Sequence, residues 1–290
     1  MYKIGISTCD NKPTTSEEFC KMKKAGIDAI EICKANYRDV DFKAIKKEAD
    51  AAGISLWSVH SHMRALNSPF DISSLDKELN QRAIQELSWL IDKTSTVGID
   101  KIVLHPTHTR EPFDQSTREE KIKHAMECLD ILAEYAYSRG VWIALENLPR
   151  TCLGNTLSEH LKLLSANDKL KVCFDFNHSL IDDTADYIRK IGDRLITVHV
   201  SDRDNINERH WLPGEGVLDF NGILDALKST NYNGAWIYEI DLKATPTIER
   251  RDLTYKDFVD NAKALFNKET PVVLGTPKPN LGLWGPKDQE

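Results

Sequence analysis

Short apolar runs of strand length alternate with amphipathic stretches of helix length along almost the whole chain. There are eight such runs, and they show little polar alternation: residues 2–7, 27–33, 54–60, 101–105, 141–147, 170–176, 195–200 and 235–240. Strands that are covered on both faces of a parallel sheet have this nearly continuous hydrophobicity. Eight strand–helix units in a chain of 290 residues predict an α/β protein built as a single (β/α)8 TIM barrel.

A doubly wound open sheet would show the same alternation, so the turn after the first strand is informative. That turn reads ISTCDNKPT and lacks the glycine-rich fingerprint of a dinucleotide-binding unit. No linker divides the chain, and we predict one barrel domain over residues 1–266. Residues 267–290 are rich in proline and glycine, which predicts an irregular C-terminal tail over the barrel with Trp284 as a candidate anchor.

Helix starts are also visible in the sequence. A capping box places a hydroxyl residue three positions before a glutamate, and three pairs have this spacing: Thr14 and Glu17, Ser116 and Glu119, Thr156 and Glu159. The stretch after Ser116 carries one apolar stripe at spacings of three and four, formed by Ile122, Met126, Leu129, Leu132 and Ala136. That stripe predicts a helix with one face in the core.

Composition narrows the class of function. The formal net charge is −7, which disfavours a nucleic-acid partner because phosphate backbones are usually bound by a basic face. No apolar run reaches the roughly 18 residues of a membrane span, so no membrane partner is expected. The six cysteines lack paired spacing, which predicts reduced thiols in a cytoplasmic protein.

The apolar runs share one further property: nearly all of them end on an acid or a histidine. In a parallel barrel these ends lie on one face, where active sites are built. Carboxylates and neutral imidazoles that converge there are typical ligands of a divalent ion such as Mn²⁺, Mg²⁺, Co²⁺ or Zn²⁺. The residues at the ends of the runs are Glu31, His60, His105, Glu146, Asp175, His199 and Glu239.

Each of these residues also has a structural interpretation when it is taken alone. A buried histidine is often only hydrogen-bonded, and Glu31 could form a salt bridge with Lys34 instead of supporting a ligand. The case for a metal centre is therefore the ring as a whole. Within it, Glu146, Asp175, His199 and Glu239 are the predicted metal ligands.

Six motifs together resemble the xylose isomerase-like TIM-barrel superfamily, which contains sugar and sugar-phosphate isomerases and epimerases, inosose dehydratases and endonuclease IV-type repair enzymes. The resemblance runs from about residue 2 to residue 265. Its motifs are LHP at 104–106, ALENLP at 144–149, FDFNH at 174–178, VHVSD at 198–202, RHWLPGEGVLDF at 209–220 and YEI at 238–240.

The resemblance to the ketose 3-epimerases implies a metal-dependent sugar isomerase or epimerase that works through an enediolate. It implies that Glu146, Asp175, His199 and Glu239 hold one divalent ion, and that Glu146 and Glu239 also act as acid and base. The residues expected to contact the sugar are His60, His105, His178, Arg203 and His210. Arg203 departs from the usual spacing after the histidine ligand. The partner is then a small sugar, and homo-oligomerisation is left open.

Two alternatives use the same frame. An endonuclease IV-like enzyme holds three zinc ions and cleaves abasic DNA; its additional ligands would be His60, His105, His178, Glu208 and His210. Glu208 stands where that group has an aspartate, and the chain lacks the basic, aromatic loops that hold bent DNA. An inosose dehydratase-like lyase would follow proton abstraction with elimination.

Overall fold

Eight parallel strands form a closed barrel in the computed structural model, which describes residues 2–9, 12–61, 70–107 and 115–283. These strands are β1 (Lys3–Ser7), β2 (Ala29–Cys33), β3 (Ser55–His60), β4 (Lys101–Leu104), β5 (Trp142–Glu146), β6 (Lys171–Asp175), β7 (Leu195–Val200) and β10 (Ala235–Tyr238). Short strands outside the barrel are β8 (Asp202–Arg203), β9 (Glu208–Trp211), β11 (Ile248–Glu249) and β12 (Thr276–Pro277).

The strand order around the barrel is β1-β10-β7-β6-β5-β4-β3-β2, and every neighbouring pair is parallel. Each predicted apolar run contains one barrel strand, so the predicted (β/α)8 barrel is confirmed. The helices are α1 (Ser16–Ala25), α2 (Phe42–Ala52), α3 (Lys77–Ser95), α4 (Arg118–Tyr137), α5 (Leu157–Leu164), α6 (Thr184–Ile191), α7 (Phe220–Ser229) and α8 (Tyr255–Phe266).

The predicted helix caps are only partly correct. Thr156 caps α5 as expected, and its side chain accepts a hydrogen bond from the Glu159 backbone, but the Glu159 carboxylate pairs with Arg118 instead of closing the box. Helix α1 begins one residue later than predicted, with Thr15 as its cap. Helix α4 starts after Thr117, which makes no side-chain cap. The shift of α1 reflects a second hydroxyl residue next to the predicted cap, which spacing alone does not resolve, whereas α4 is preceded by a short 3-10 turn over Gln115–Thr117.

The core lies between the barrel and its ring of helices, and it leaves one end of the barrel to polar side chains. The apolar stripe of α4 packs into this core, with Ile122, Leu129, Leu132 and Ala136 buried. At the amino ends of the strands, Trp57 packs against an interior layer of small and aliphatic residues and donates its indole N–H to Thr197 Oγ1 at 3.1 Å. Apolar side chains dominate that end, and the acids and histidines of the barrel interior lie at the carboxyl ends of the strands.

The chain after α8 runs back toward the carboxyl ends of the strands. There β12 pairs with β11 in antiparallel fashion, and the Leu281 side chain is buried. Helix α8 ends at Phe266, but the division into residues 1–266 and 267–290 stays a prediction, and Trp284 lies outside the described residues. In the described part of the chain, no helix is both long enough and apolar enough to cross a membrane.

Burial of His160 should give the fold a specific pH dependence. The side chain of His160, on α5, is fully buried with Nδ1 3.0 Å from Tyr187 Oη, and burial lowers its pKa from 6.5 to about 4. Between these values the unfolded chain binds the proton and the folded protein does not. The contribution of neutral His160 is therefore complete above pH 6.5 and is lost as the pH falls toward 4.

We expect His160→Asn to change the slope of stability against pH. As the pH falls from 7 to 4.5, the wild-type free energy of unfolding should drop by about 2–3 kcal/mol more than that of the variant. Urea unfolding at a series of pH values measures both curves. Parallel curves for the two proteins would contradict the buried, neutral state of His160.

Candidate metal centre

Four polar side chains from adjacent barrel strands converge at the carboxyl end of the barrel. Glu146 and Asp175 are the last residues of β5 and β6, His199 lies near the end of β7, and Glu239 directly follows β10. The strand register places Asp175 opposite His199. One ligand atom from each of the four side chains lies within 4.8 Å of the others.

The donor set suits a divalent cation. His199 Nδ1 lies 3.2 Å from Glu239 Oε2, 3.4 Å from Glu146 Oε1 and 3.9 Å from Asp175 Oδ2. Asp175 Oδ2 is buried without a hydrogen-bond partner. Because buried carboxylates are stabilised by pairing or by metal coordination, an oxygen that points into a cluster of carboxylates fits a position that receives a cation.

Two histidines hold Glu146 from the side of β3 and β4. His60 Nε2 lies 3.2 Å and His105 Nε2 lies 3.1 Å from Glu146 Oε2, while His60 also stacks on His199 with ring centroids 5.7 Å apart. His60, Glu146 and His199 form a second set of potential ligands that shares Glu146 with the first. The predicted residues His60 and His105 therefore lie directly beside the four predicted ligands.

A third set of potential ligands lies at the rim and consists of His178, Glu208 and His210. His178 Nε2 is 2.7 Å from Glu208 Oε2, and His210 Nε2 is 3.9 Å from the same oxygen. Arg150 Nη1 donates to the other oxygen of Glu208 at 2.5 Å. Glu208 thus links an arginine to the histidine that contacts Glu146, with His178 Nδ1 3.3 Å from Glu146 Oε1.

Arg203 is the predicted site residue whose contacts lead away from this cluster. Its Nη1 donates to the Asp204 carbonyl at 2.9 Å, and its Nη2 donates to the Ser179 carbonyl at 2.7 Å. These bonds tie the loop after β7 to the loop after β6. The predicted contact between Arg203 and substrate stays a prediction.

A model of the family described as "Xylose isomerase-like TIM barrel" matches residues 19–257, most of the chain. The chain belongs to this family. The match confirms the resemblance that the motifs indicated. The converging residues described above lie at the ends of the barrel strands of this chain.

The proteins to which this chain is similar include sugar epimerases. The chain is 27% identical over 253 residues to the D-psicose 3-epimerase of Enterocloster bolteae, covering 82% of this chain and 81% of that protein. A solved structure of an L-ribulose 3-epimerase superimposes with a TM-score of 0.72 at 25% identity, covering 83% of this chain and 82% of that one. A 28% identical match to the uncharacterized protein y4fM of Sinorhizobium fredii spans 64% of this chain but only 59% of that protein.

The crowding of charges in this barrel shifts the pKa values of the cluster in opposite directions. Burial raises the pKa of Asp175 to about 7, with neighbouring Glu239 and Glu146 adding to the effect. Burial also opposes ionisation of Glu146, but the charges of His105 and His199 outweigh it and hold the Glu146 pKa well below its usual range. The pKa of His178 is raised, because Asp175, Glu146 and Glu208 together overcome the effect of its burial.

Glu31 lies behind His199; the sequence left open whether it supports a ligand or forms a salt bridge with Lys34. His199 Nε2 is 3.0 Å from Glu31 Oε1, so the other ring nitrogen, Nδ1, is the one that faces the carboxylate cluster. Ser7 and Ser58 donate their hydroxyls to the two oxygens of Glu31 at 3.0 and 2.8 Å. This arrangement fixes the ring orientation of His199, and Ser7 and Ser58 are site residues that sequence reasoning missed.

Proposed function

We propose that the chain is a divalent-metal-dependent isomerase or epimerase of a sugar or sugar derivative. The convergence of Glu146, Asp175, His199 and Glu239 around one point supports this proposal most strongly. The ion that these residues would hold supplies Lewis-acid polarisation of a substrate carbonyl when it is bound. The similarity to a D-psicose 3-epimerase supports a ketose or a related carbonyl sugar as the substrate class.

The two glutamates differ in how they are held. Both oxygens of Glu146 are surrounded by imidazoles, and its side chain is fully buried. Glu239 is slightly exposed, and its Oε1 accepts a weak hydrogen bond from the Cys9 thiol at 3.2 Å. Glu239 is therefore the more accessible base at the mouth, and Glu146 is the group whose position is fixed by its neighbours.

In the reaction we propose, one glutamate carboxylate takes the proton from the carbon next to the carbonyl. The electron pair of the C–H bond forms a carbon–carbon double bond, and the π pair of the carbonyl moves onto its oxygen, which leaves an enediolate of the sugar. The other glutamate, in its protonated form, gives its proton to the opposite face of that carbon, which inverts it. Alternatively the first glutamate returns its proton to the neighbouring, former carbonyl carbon, which isomerises the sugar once a hydroxyl proton moves between the two oxygens. His60, His105, His178 and His210 orient the hydroxyl groups, since their nitrogens line the same end of the barrel.

Replacing either glutamate by glutamine should remove the proton transfer while preserving the fold. We expect Glu146→Gln and Glu239→Gln each to lower turnover by about 10²–10⁴-fold, the usual size of a general acid–base contribution. Exchange of solvent deuterium into the substrate, measured on a panel of ketoses and inososes at saturating Mn²⁺, tests the step directly.

The matched control for these variants is Glu86→Gln. Glu86 is also a buried carboxylate, but it lies on α3 and pairs with Arg38 away from the barrel mouth. The control should keep the wild-type rate of deuterium exchange. Wild-type exchange in both Glu146→Gln and Glu239→Gln would refute the acid–base roles.

The carboxylate behind His199 gives a second test of the metal site. Glu31→Gln should weaken metal binding by about 10–100-fold, the usual cost of removing the partner of a metal-bound histidine. Competition with a chelator measures this affinity in the absence of substrate. Glu86→Gln again serves as the control, and equal affinities in all three proteins would show that Glu31 does not support a ligand.

A second candidate function is a tri-zinc phosphodiesterase. One observation favours it, namely that two further sets of potential ligands exist. The first set is His60, Glu146 and His199, and the second is His178, Glu208 and His210. Against it stand the negative net charge of the chain and the ion pair between Arg150 and Glu208, which occupies one carboxylate oxygen of the rim set.

Metal content separates the two functions. We expect the purified protein to bind one divalent ion per chain, to lose sugar turnover when a chelator removes that ion and to regain it with Mn²⁺ or Co²⁺. Elemental analysis and activity assays measure both quantities. Three zinc ions per chain together with cleavage of an abasic DNA duplex would establish the phosphodiesterase instead.

A further inference from the structure

The side chains of strand β9 make their contacts in two different places. Glu208 and His210 point toward His178 and the mouth of the barrel. The side chains of Arg209 and Trp211 make their contacts elsewhere, with Asp204, with Thr247 and with residues 281–283. Among the described residues, these side-chain contacts lie within residues 204–211 or with the chain beyond α7, while the Arg209 backbone N–H donates to Asn177 Oδ1 at 2.9 Å.

Arg209 is buried, and its guanidinium hydrogen-bonds to the C-terminal segment at Gly282 and Leu283. Nη2 donates to the Gly282 carbonyl at 2.7 Å, Nη1 donates to the Leu283 carbonyl at 3.2 Å, and Nε donates to Asp204 Oδ2 at 2.8 Å. Asn207 Nδ2 also donates to the Leu283 carbonyl, at 2.5 Å. Two consecutive carbonyls of the segment therefore accept hydrogen bonds from the side chains of Asn207 and Arg209.

The same segment is anchored independently of Arg209. Strand β12 pairs with β11, and the Lys278 N–H donates to the Thr247 carbonyl at 2.9 Å. Leu281 packs in a buried cluster with Trp211 and Ile248. Residues 276–283, which we name the C-terminal strap, are thus fixed at one end by backbone pairing and at the other by Arg209.

On the side that faces the barrel mouth, residues 207–210 form a network with Arg150 and include a backbone conformation that is unfavourable by itself. Asn207 Oδ1 accepts from Arg150 Nη1 at 2.8 Å, next to the bond from Arg150 to Glu208. His210 has a φ of 51°, a left-handed conformation that costs free energy in a residue with a side chain. Such a conformation persists only when surrounding contacts determine it, and here Nδ1 of His210 lies 2.9 Å from the Glu239 carbonyl.

We propose that the C-terminal strap supports the substrate site from outside, and that Arg209 is the positioning residue through which the strap sets Glu208 and His210. This inference rests on the proposed function, which assigns His210 to the sugar together with His178, the histidine that Glu208 holds. Arginine suits the role since its planar fork reaches two adjacent carbonyls at once, which a lysine ammonium does not reproduce. The strap therefore determines how firmly substrate is held, while the proton transfer depends on Glu146 and Glu239.

The test compares Arg209→Gln with Arg251→Gln. Arg251 is an exposed arginine that pairs with Asp257 at the start of α8, so its loss controls for the removal of a positive charge. Two quantities are measured in the full-length protein: hydrogen exchange of the amides in residues 207–211 and 276–283, and KM against kcat on the ketose panel.

We expect Arg209→Gln to speed exchange in both segments at least tenfold, to raise KM about tenfold and to change kcat less than threefold. Arg251→Gln should change none of these. If exchange rises in residues 276–283 while residues 207–211 and KM keep their wild-type values, the strap is only structural and the proposal is overturned. If the wild-type protein turns over no sugar, exchange in residues 207–211 alone decides, and an unchanged rate there overturns the proposal.

A second variant covers the case in which Arg209→Gln does not fold. Leu281→Ala releases the strap from its apolar anchor without touching Arg209, and Leu281→Met keeps the volume of the side chain. The alanine variant should reproduce the rise in exchange and in KM, and the methionine variant should behave as the wild type. Wild-type KM in Leu281→Ala would overturn the proposal independently of Arg209.

Discussion

Three carboxylates, those of Glu146, Asp175 and Glu239, lie buried around one point, and their mutual repulsion is the constraint on which the rest of this end of the barrel depends. Burial removes the water that would otherwise screen them, so the negative charge must be neutralised locally. The pKa of about 7 at Asp175 is one such response, because a proton there relieves the repulsion. A divalent cation would relieve it for all three carboxylates at once.

The surrounding residues follow from this constraint. His60, His105 and His178 approach Glu146 from different strands and loops, so imidazoles that can carry a proton face the most enclosed carboxylate. Behind His199, Glu31 adds a fourth buried carboxylate whose charge must also be stabilised. Its partners Ser7 and Ser58 are neutral donors, which satisfy its oxygens without placing another charge in the barrel interior.

The sequence predicts this centre as far as side-chain type at a strand end carries information. Asp175 follows a buried apolar run, and the barrel topology then requires it to meet the ends of the neighbouring strands. Ser7 and Ser58 could not be found in the same way, because an uncharged serine in a strand does not mark a site and the role of these two depends on Glu31. The contacts of Arg209 were equally invisible, since its acceptors are backbone carbonyls about 70 residues away, which have no sequence signature.

The proposed ligands and the rim residues are held in place in two different ways. The proposed ligands and bases stand on the ends of short barrel strands, whose positions are fixed by parallel pairing on both sides. The rim residues Glu208 and His210 stand on β9, whose one strand partner among the described residues is the two-residue strand β8. A loop so weakly paired needs contacts from elsewhere to hold a histidine in a left-handed conformation, and Arg209 with its two carbonyl partners provides them on the same strand.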